Sequence, residues 1–347
     1  MPIPLNSIPN LSIEPTDFEP SEYSLLKTEN TVYPIAGFWS RLAAWFIDSL
    51  LLGVIGQGIV WGFSSFWFEI GPYGRFVGLL LILPYFGLMN SKFCMGQTLG
   101  KRIFGIAVID RKNKAIGLSR SLIRTMILAL PFFLNGWALP ILQNPVLLLL
   151  CSVIVFGIGG AILYTMIFNQ GTRQGLHDLL CSTYVVNLNG DPIAALPLSS
   201  KIHKVISGAI LATSVVIAGI MGFVTSSFST TESSFAYLYR AYQTLQADQR
   251  FFSASVFDNT SYAEQAKPTR TLRVNVWFKG VPSPEEFEHV TNDVAKVVLD
   301  EIENIDDFDL IEISITSAYD LGIASGNFTS GDRQKPDVWR ERSKPNI

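Results

Sequence analysis

The sequence predicts an all-α polytopic membrane bundle of about five spans with a small cytoplasmic β element, followed by a soluble α+β domain containing a β-α-β unit. Three observations predict it. Hydrophobic residues make up 48% of the 347 and charged residues only 16%, with a mean hydropathy of +0.31, too apolar for a water-soluble enzyme of this length. The apolar residues gather into long runs between Trp39 and Val224, and from Ser226 to Ile347 the chain turns to short alternations and amphipathic stretches with an acidic excess. The net charge of −3 gives no support to a nucleic-acid partner.

Residues 1–35 are rich in Pro, Ser and acids and have neither the basic start nor the apolar core of a secretory signal, so they are expected to form a disordered cytoplasmic tail. A crossing helix needs about 20 apolar residues. Leu42–Phe68, Arg75–Met95 (kinked at Pro84), Val146–Phe168 and Val205–Val224 meet that length. The segment Leu122–Leu142 carries Arg124, Pro131, Asn135 and Pro140, and it either crosses or lies half in the interface. Counted as a span, it brings the total to five.

Lysine and arginine set the orientation. Lys92, Lys101, Arg102, Arg111, Lys112, Lys114, Arg120 and Arg124 follow the second span against the single acid Asp110, which marks that side as cytoplasmic. The N-terminus then lies in the cytoplasm, and with five spans the C-terminal domain is periplasmic or extracellular. If Leu122–Leu142 fails to cross, that domain moves inside. The expected divisions are a tail to residue 35, a core over 36–190, an additional span over 202–225 and a soluble domain over 226–347.

Within the core, Arg41 and Asp48 lie seven residues apart, on one helix face and separated by about 10 Å along the axis. That is too far for a direct ion pair. Asp48 is expected to face the bundle interior, because a charge in hydrocarbon is costly, and Arg41 to snorkel towards lipid phosphate. GQTLGKRIFGIAVID, Gly96–Asp110, has a lysine after a glycine but not phosphate-loop spacing. It reads as a basic turn in which Gly96 and Gly100 allow close helix approach and Lys101 and Arg102 meet lipid phosphate or a buried acid. Phe104–Asp110 then alternates like a strand. GTRQGLHDLLCSTYVV, Gly171–Val186, supplies Arg173 and Asp178 and leads into a second strand over Thr183–Leu188 that could pair with the first.

This ordered set, an arginine opening the first helix, an aspartate two turns in, the GQTLGKR turn and the HDLL-x-S-T-x-V-V ending, resembles the RDD family over about residues 36–188. The resemblance implies that Arg41, Asp48 and Asp178 are the family's one arginine and two aspartates, that Gly96, Gly100, Lys101, Arg102 and Arg173 support them, and that the core transports a small ion or solute across a bacterial inner membrane. It implies no cofactor. An architectural lock, with Asp48 paired to Lys101, Arg102 or Arg173, is the competing role for the charges.

In the C-terminal part, Thr231–Gln249 reads as a helix and Thr271–Lys279 as a strand. Ser283, Pro284 and Glu286 form a capping box before a helix striped by Phe287, Val290, Val294, Val297 and Val298. Asp309–Thr316 reads as a second strand, and the end from about Gly326 as loose. The three cysteines, Cys94, Cys151 and Cys181, make no disulfide framework or zinc site, and no catalytic set is evident, so an enzyme is not expected. The alternative to transport is an anchor or assembly factor whose 226–347 domain binds a partner protein.

Overall fold

The structure is a computed structural model that describes residues 32–136, 144–198, 200–228, 236–262 and 267–344. Residues 1–31 of the predicted tail, and Pro140, lie outside these residues; the last four residues of that tail are ordered, with Val32 bridged to Ile193 and Ile35 to Val186, which corrects the tail boundary.

Among the described residues, four helical segments are long and apolar enough to cross a membrane: 38–62, 64–89, 146–168 and 201–224. The first, α1 (Phe38–Gly62), continues through α2 (Ser64–Ile70) and a turn at Gly71–Tyr73 into α3 (Gly74–Met89). Its lipid-facing side carries Trp39 at one end and Trp61 at the other, 76% and 80% exposed. The two indoles are separated by about 33 Å along the axis, at 1.5 Å per residue. Interfacial tryptophans at that spacing bracket one hydrocarbon layer.

After α3, the short helix α4 (Leu99–Ile103) leads into β1 (Ile106–Asp110). Then comes α5 (Leu118–Leu134), which holds Pro131 in its last turn. It runs antiparallel beside α3: Ser121 Oγ reaches the Phe86 carbonyl at one end, and Arg75 Nη1 donates to the Phe133 and Asn135 carbonyls at the other. Helices α6 (Pro145–Ser152) and α7 (Gly159–Phe168) are joined by a π-turn over Val153–Ile158. There Gly157 lets Ser214 of α9 (Lys201–Phe228) approach. Between them, α8 (Leu176–Cys181) precedes β2 (Thr183–Asn187). Strands β1 and β2 pair antiparallel, Val108 opposite Val185, and pack with Ala36, Ala44 and Ile116.

The C-terminal part comprises α10 (Ala236–Ala247), β3 (Phe251–Ser261), β4 (Thr269–Phe278), α11 (Pro284–Glu301), β5 (Leu310–Asp320), β6 (Ser325–Gln334) and α12 (Pro336–Arg342). One four-stranded sheet runs β3-β4-β5-β6. Strands β4 and β5 are parallel, Val274 beside Ile313 and Val276 beside Ile315, and α11 lies between them in the chain. The Ser283 hydroxyl accepts from Glu286 N to start α11. That helix lays Val290, Val294 and Val298 over Leu272, Val274, Val276, Ile311, Ile313 and Ile315, and Trp339 of α12 closes the same core.

Two strands differ from the sequence expectation. The stretch from Gly326, expected to be loose, is β6: its polar side chains are largely exposed, and its place is fixed by backbone pairing along β5 and by α12 behind it. The edge strand β3 buries only its first two residues deeply, so its alternation is faint.

The two halves meet through the β5–β6 turn. Leu321, Gly322, Ile323 and Ala324 enter between α1 and α3, and Leu321 is 0% exposed among Val60, Trp67 and Tyr319. Glycines make the room. A Cβ on Gly78 would overlap the Leu321 carbonyl oxygen, one on Gly74 would sit 2.8 Å from the Asp320 carbonyl oxygen, and one on Gly56 would sit 3.0 Å from Ile323. Arg75 Nε donates to Asp320 Oδ2 at 2.8 Å across the junction. Phe252 fills the space beside Gly71.

Candidate functional site

Charged and polar side chains collect inside the bundle at the end where α1 begins and α3 finishes. Asp48 is 1% exposed, as a carboxylate in an apolar layer requires. Its oxygens accept from Tyr85 Oη at 2.7 Å, Thr98 Oγ1 at 2.5 Å and the Gly100 backbone N at 2.8 Å. Gly100 makes the last bond possible, because a Cβ there would collide with the Ala44 carbonyl and hold α4 away from α1. Thr98 has a double role: its hydroxyl caps α4 by accepting from Lys101 N while it donates to Asp48.

Asp178 forms the second centre, also 1% exposed. It receives Arg124 Nε at 2.7 Å and Thr183 Oγ1 at 2.7 Å, with Arg41 Nη1 at 3.9 Å and His177 Nε2 at 3.4 Å. Arg41 also donates to the carbonyls of Arg173 and Val185. The expected snorkelling of Arg41 is therefore corrected: its guanidinium turns inward, where the carbonyls of the loop before α8 and of β2 offer fixed acceptors. Arg173 holds positive φ, 50°, and presents its carbonyl to Arg41. Gly96, at φ 74°, lies against Val108 of β1, where a Cβ would strike the backbone.

The lock expected between Asp48 and Lys101, Arg102 or Arg173 is not what the geometry holds. Lys101 Nζ donates to Asn90 Oδ1, and Arg102 is exposed. The partners of Asp48 are neutral donors.

Burial drives the Lys101 amine well below its ordinary value, helped by Arg124 and opposed by Asp48 and Asp178. The His177 imidazole is pushed down to about 4 by burial, against the pull of Asp178, and stands neutral near pH 7. Burial alone would raise the Asp178 carboxyl, but the guanidinium groups of Arg124 and Arg41 outweigh it and hold the group well below the usual carboxylate range. Three buried atoms of the same neighbourhood, Arg41 Nε, Gln174 Oε1 and His177 Nδ1, have no hydrogen-bond partner among the described residues.

The structure thus brings Arg41 to Asp178, and separately brings Gly100 to Asp48. Sequence reasoning missed Tyr85, Thr98, Asn90 and His177, and took Arg124 as one of the cytoplasmic charges and a burden on its span, not as part of the site. His177 adjoins Asp178 in the chain, and Arg124, a charge near the start of an apolar segment, was itself a signal of a buried acid.

Residues 35–182 match the RDD family. Two Bacillus subtilis (strain 168) proteins, each described as uncharacterized, are similar to this chain. YckC is 25% identical over 154 residues, covering 44% of this chain and 85% of its own length. YxaI is 27% identical over 172 residues, covering 44% of this chain and 96% of its own length. No solved structure matches.

Proposed function

We propose that this RDD-type membrane protein exchanges protons for a small ion or solute, and that the cluster around Asp48 and Lys101 is where the proton is held. One observation carries this reading. A buried acid and a half-buried base lie on adjoining elements without neutralising each other: Asp48 takes three neutral donors, and Lys101 turns to the Asn90 amide. A purely architectural lock would join them, since an isolated buried charge is the costly arrangement. Separate satisfaction leaves Lys101 free to gain or lose a proton without dismantling the helix packing, and the neighbouring arginine–aspartate centre stays fixed. The unpartnered atoms of Arg41, Gln174 and His177 offer places for water beside it.

In this reading α5 is a fifth crossing, because it runs the length of α3 between the level of Phe86 and the level of Arg75. The basic end, with Lys101 and Arg102, then faces the cytoplasm, and the domain from 226 onward stands outside a bacterial inner membrane, with β4–α11–β5 as its β-α-β unit.

The test is flux in sealed vesicles. Purified protein should move protons against an imposed cation gradient, and Asp48→Asn and Lys101→Met should each abolish that movement while eluting as the native species. Variants that aggregate instead would favour the architectural lock.

A second reading, a membrane anchor or assembly factor that presents the 226–347 domain to a partner protein, draws support from the glycine-lined seat that fixes that domain to the core. Crosslinking from the exposed sheet face would then capture one specific protein, and deletion of the domain would remove the phenotype.

A further inference from the structure

We infer that the β5–β6 turn is a movable plug at the outer end of a path between α1, α3 and α5, so that the external domain gates the core. The inference rests on the transport reading above.

Depth is the first support. Trp61 marks the interface on α1, and Gly56 and Gly53, the residues that face Ile323, lie about 8 and 12 Å deeper at 1.5 Å per residue. Leu321–Ala324 is therefore non-helical backbone at membrane depth. Such backbone persists only where protein covers it or where it borders a wet cavity. Here the protein supplies the cover: Leu321 is wholly buried, Phe133 lies under Gly322, and Asp320 Oδ1 accepts from Gly322 N to shape the turn.

The seat is the second support. Gly56, Gly74 and Gly78 face the turn with no side chains. A Cβ at any of the three would meet the turn, so its entry depends on these positions staying bare. These helices leave a slot whose occupant arrives from another domain.

The third support is what lies beneath. Leu52, Ile82, Ala129 and Phe133 form an apolar layer below the turn. Leu52 is one helical turn from Asp48, and Ile82 is three residues from Tyr85, the Asp48 partner. Turn and layer together separate the outside from the buried acid. The polar tie at the rim is the Arg75–Asp320 ion pair, 2.7 Å long with Asp320 24% exposed, and water that reaches it can compete for it.

The test uses the full chain in vesicles. A Cβ at Gly56 would lie 3.1 Å from the Ala324 Cβ, close to disulfide reach, so Gly56→Cys with Ala324→Cys should crosslink on oxidation. Formation of the bond also reports that the variant is folded. Oxidation should cut proton–cation exchange about tenfold or more, as expected for locking a rate-setting gate, and reductant should restore it. Asp320→Ala, which frees the rim, should raise flux severalfold. Undiminished flux in the crosslinked protein would overturn the plug while leaving the transport reading intact. Absence of flux in the native and reduced proteins alike would overturn both.

Discussion

Arg124 Nε meets Asp178 Oδ1 at 2.7 Å, a contact between an arginine inside the α5 segment and an aspartate 54 residues later, with both side chains almost wholly enclosed. It joins α5 to α8, and the second oxygen of Asp178 faces Arg41 of α1. One carboxylate thus holds three elements.

Removing one partner of this centre should be far worse than removing both. Arg124→Gln leaves Asp178 enclosed with a weaker neighbour and is expected to cost about 3–5 kcal/mol. The double variant Arg124→Gln/Asp178→Asn should recover part of that loss. Thermal unfolding of the detergent-solubilised protein reads both.

Acidification should weaken the same region in two steps. His177 has a folded value of about 4, below its ordinary 6.5, so the unfolded chain takes the proton first. The stabilisation from the neutral ring is complete above about pH 6.5 and fades as pH falls towards 4, a loss of about 3 kcal/mol at most. Asp178, held below the carboxylate range, adds a second loss under about pH 4. His177→Asn should flatten the melting-temperature profile between pH 7 and pH 5 and leave the steeper acid limb.

Gly100→Ala should lower stability by about 1–3 kcal/mol, because the new methyl must force α4 off the Ala44 carbonyl. It should also abolish exchange by withdrawing the backbone donor from Asp48. A variant with native melting and native flux would show that this approach is not needed.

In the C-terminal domain, Trp339 is 0% exposed and donates from Nε1 to the Ile311 carbonyl at 3.1 Å. Trp339→Ala should cost about 3–5 kcal/mol and speed hydrogen exchange along β5, with little change in α1–α8.

Topology can be read separately, with reporter fusions after Gly117, Asn189 and Thr230. The first two should report the cytoplasm and the third the outside.

What the sequence revealed, and what it concealed, follows from how local each interaction is. The inward position of Asp48 was legible because hydrocarbon excludes charge whatever the fold. Its partners were not, since Tyr85, Thr98 and Gly100 become neighbours only when α3 and α4 fold back on α1. Arg41 was misread for a related reason: interface and interior are both plausible for an arginine at a helix entrance, and the carbonyls of Arg173 and Val185 decide between them. The capping box of α11 was visible in three residues, because a cap is a local device. Strand β6 carries almost no apolar signal, and its identity comes from the partner it pairs with. The glycines at 56, 74 and 78 read as ordinary small residues of membrane helices, with nothing to announce that a turn some 250 residues away would occupy the gap.

The Arg41 contacts also set a timetable for biogenesis. Its carbonyl acceptors lie 132 and 144 residues downstream, so at typical ribosomal speeds the first helix waits on the order of ten seconds for them. During that interval the guanidinium lies at the bilayer edge among water and lipid phosphate, and it turns inward only once the loop before α8 and β2 have been made; the turn near Leu321 seats last, after the rest of the chain has emerged.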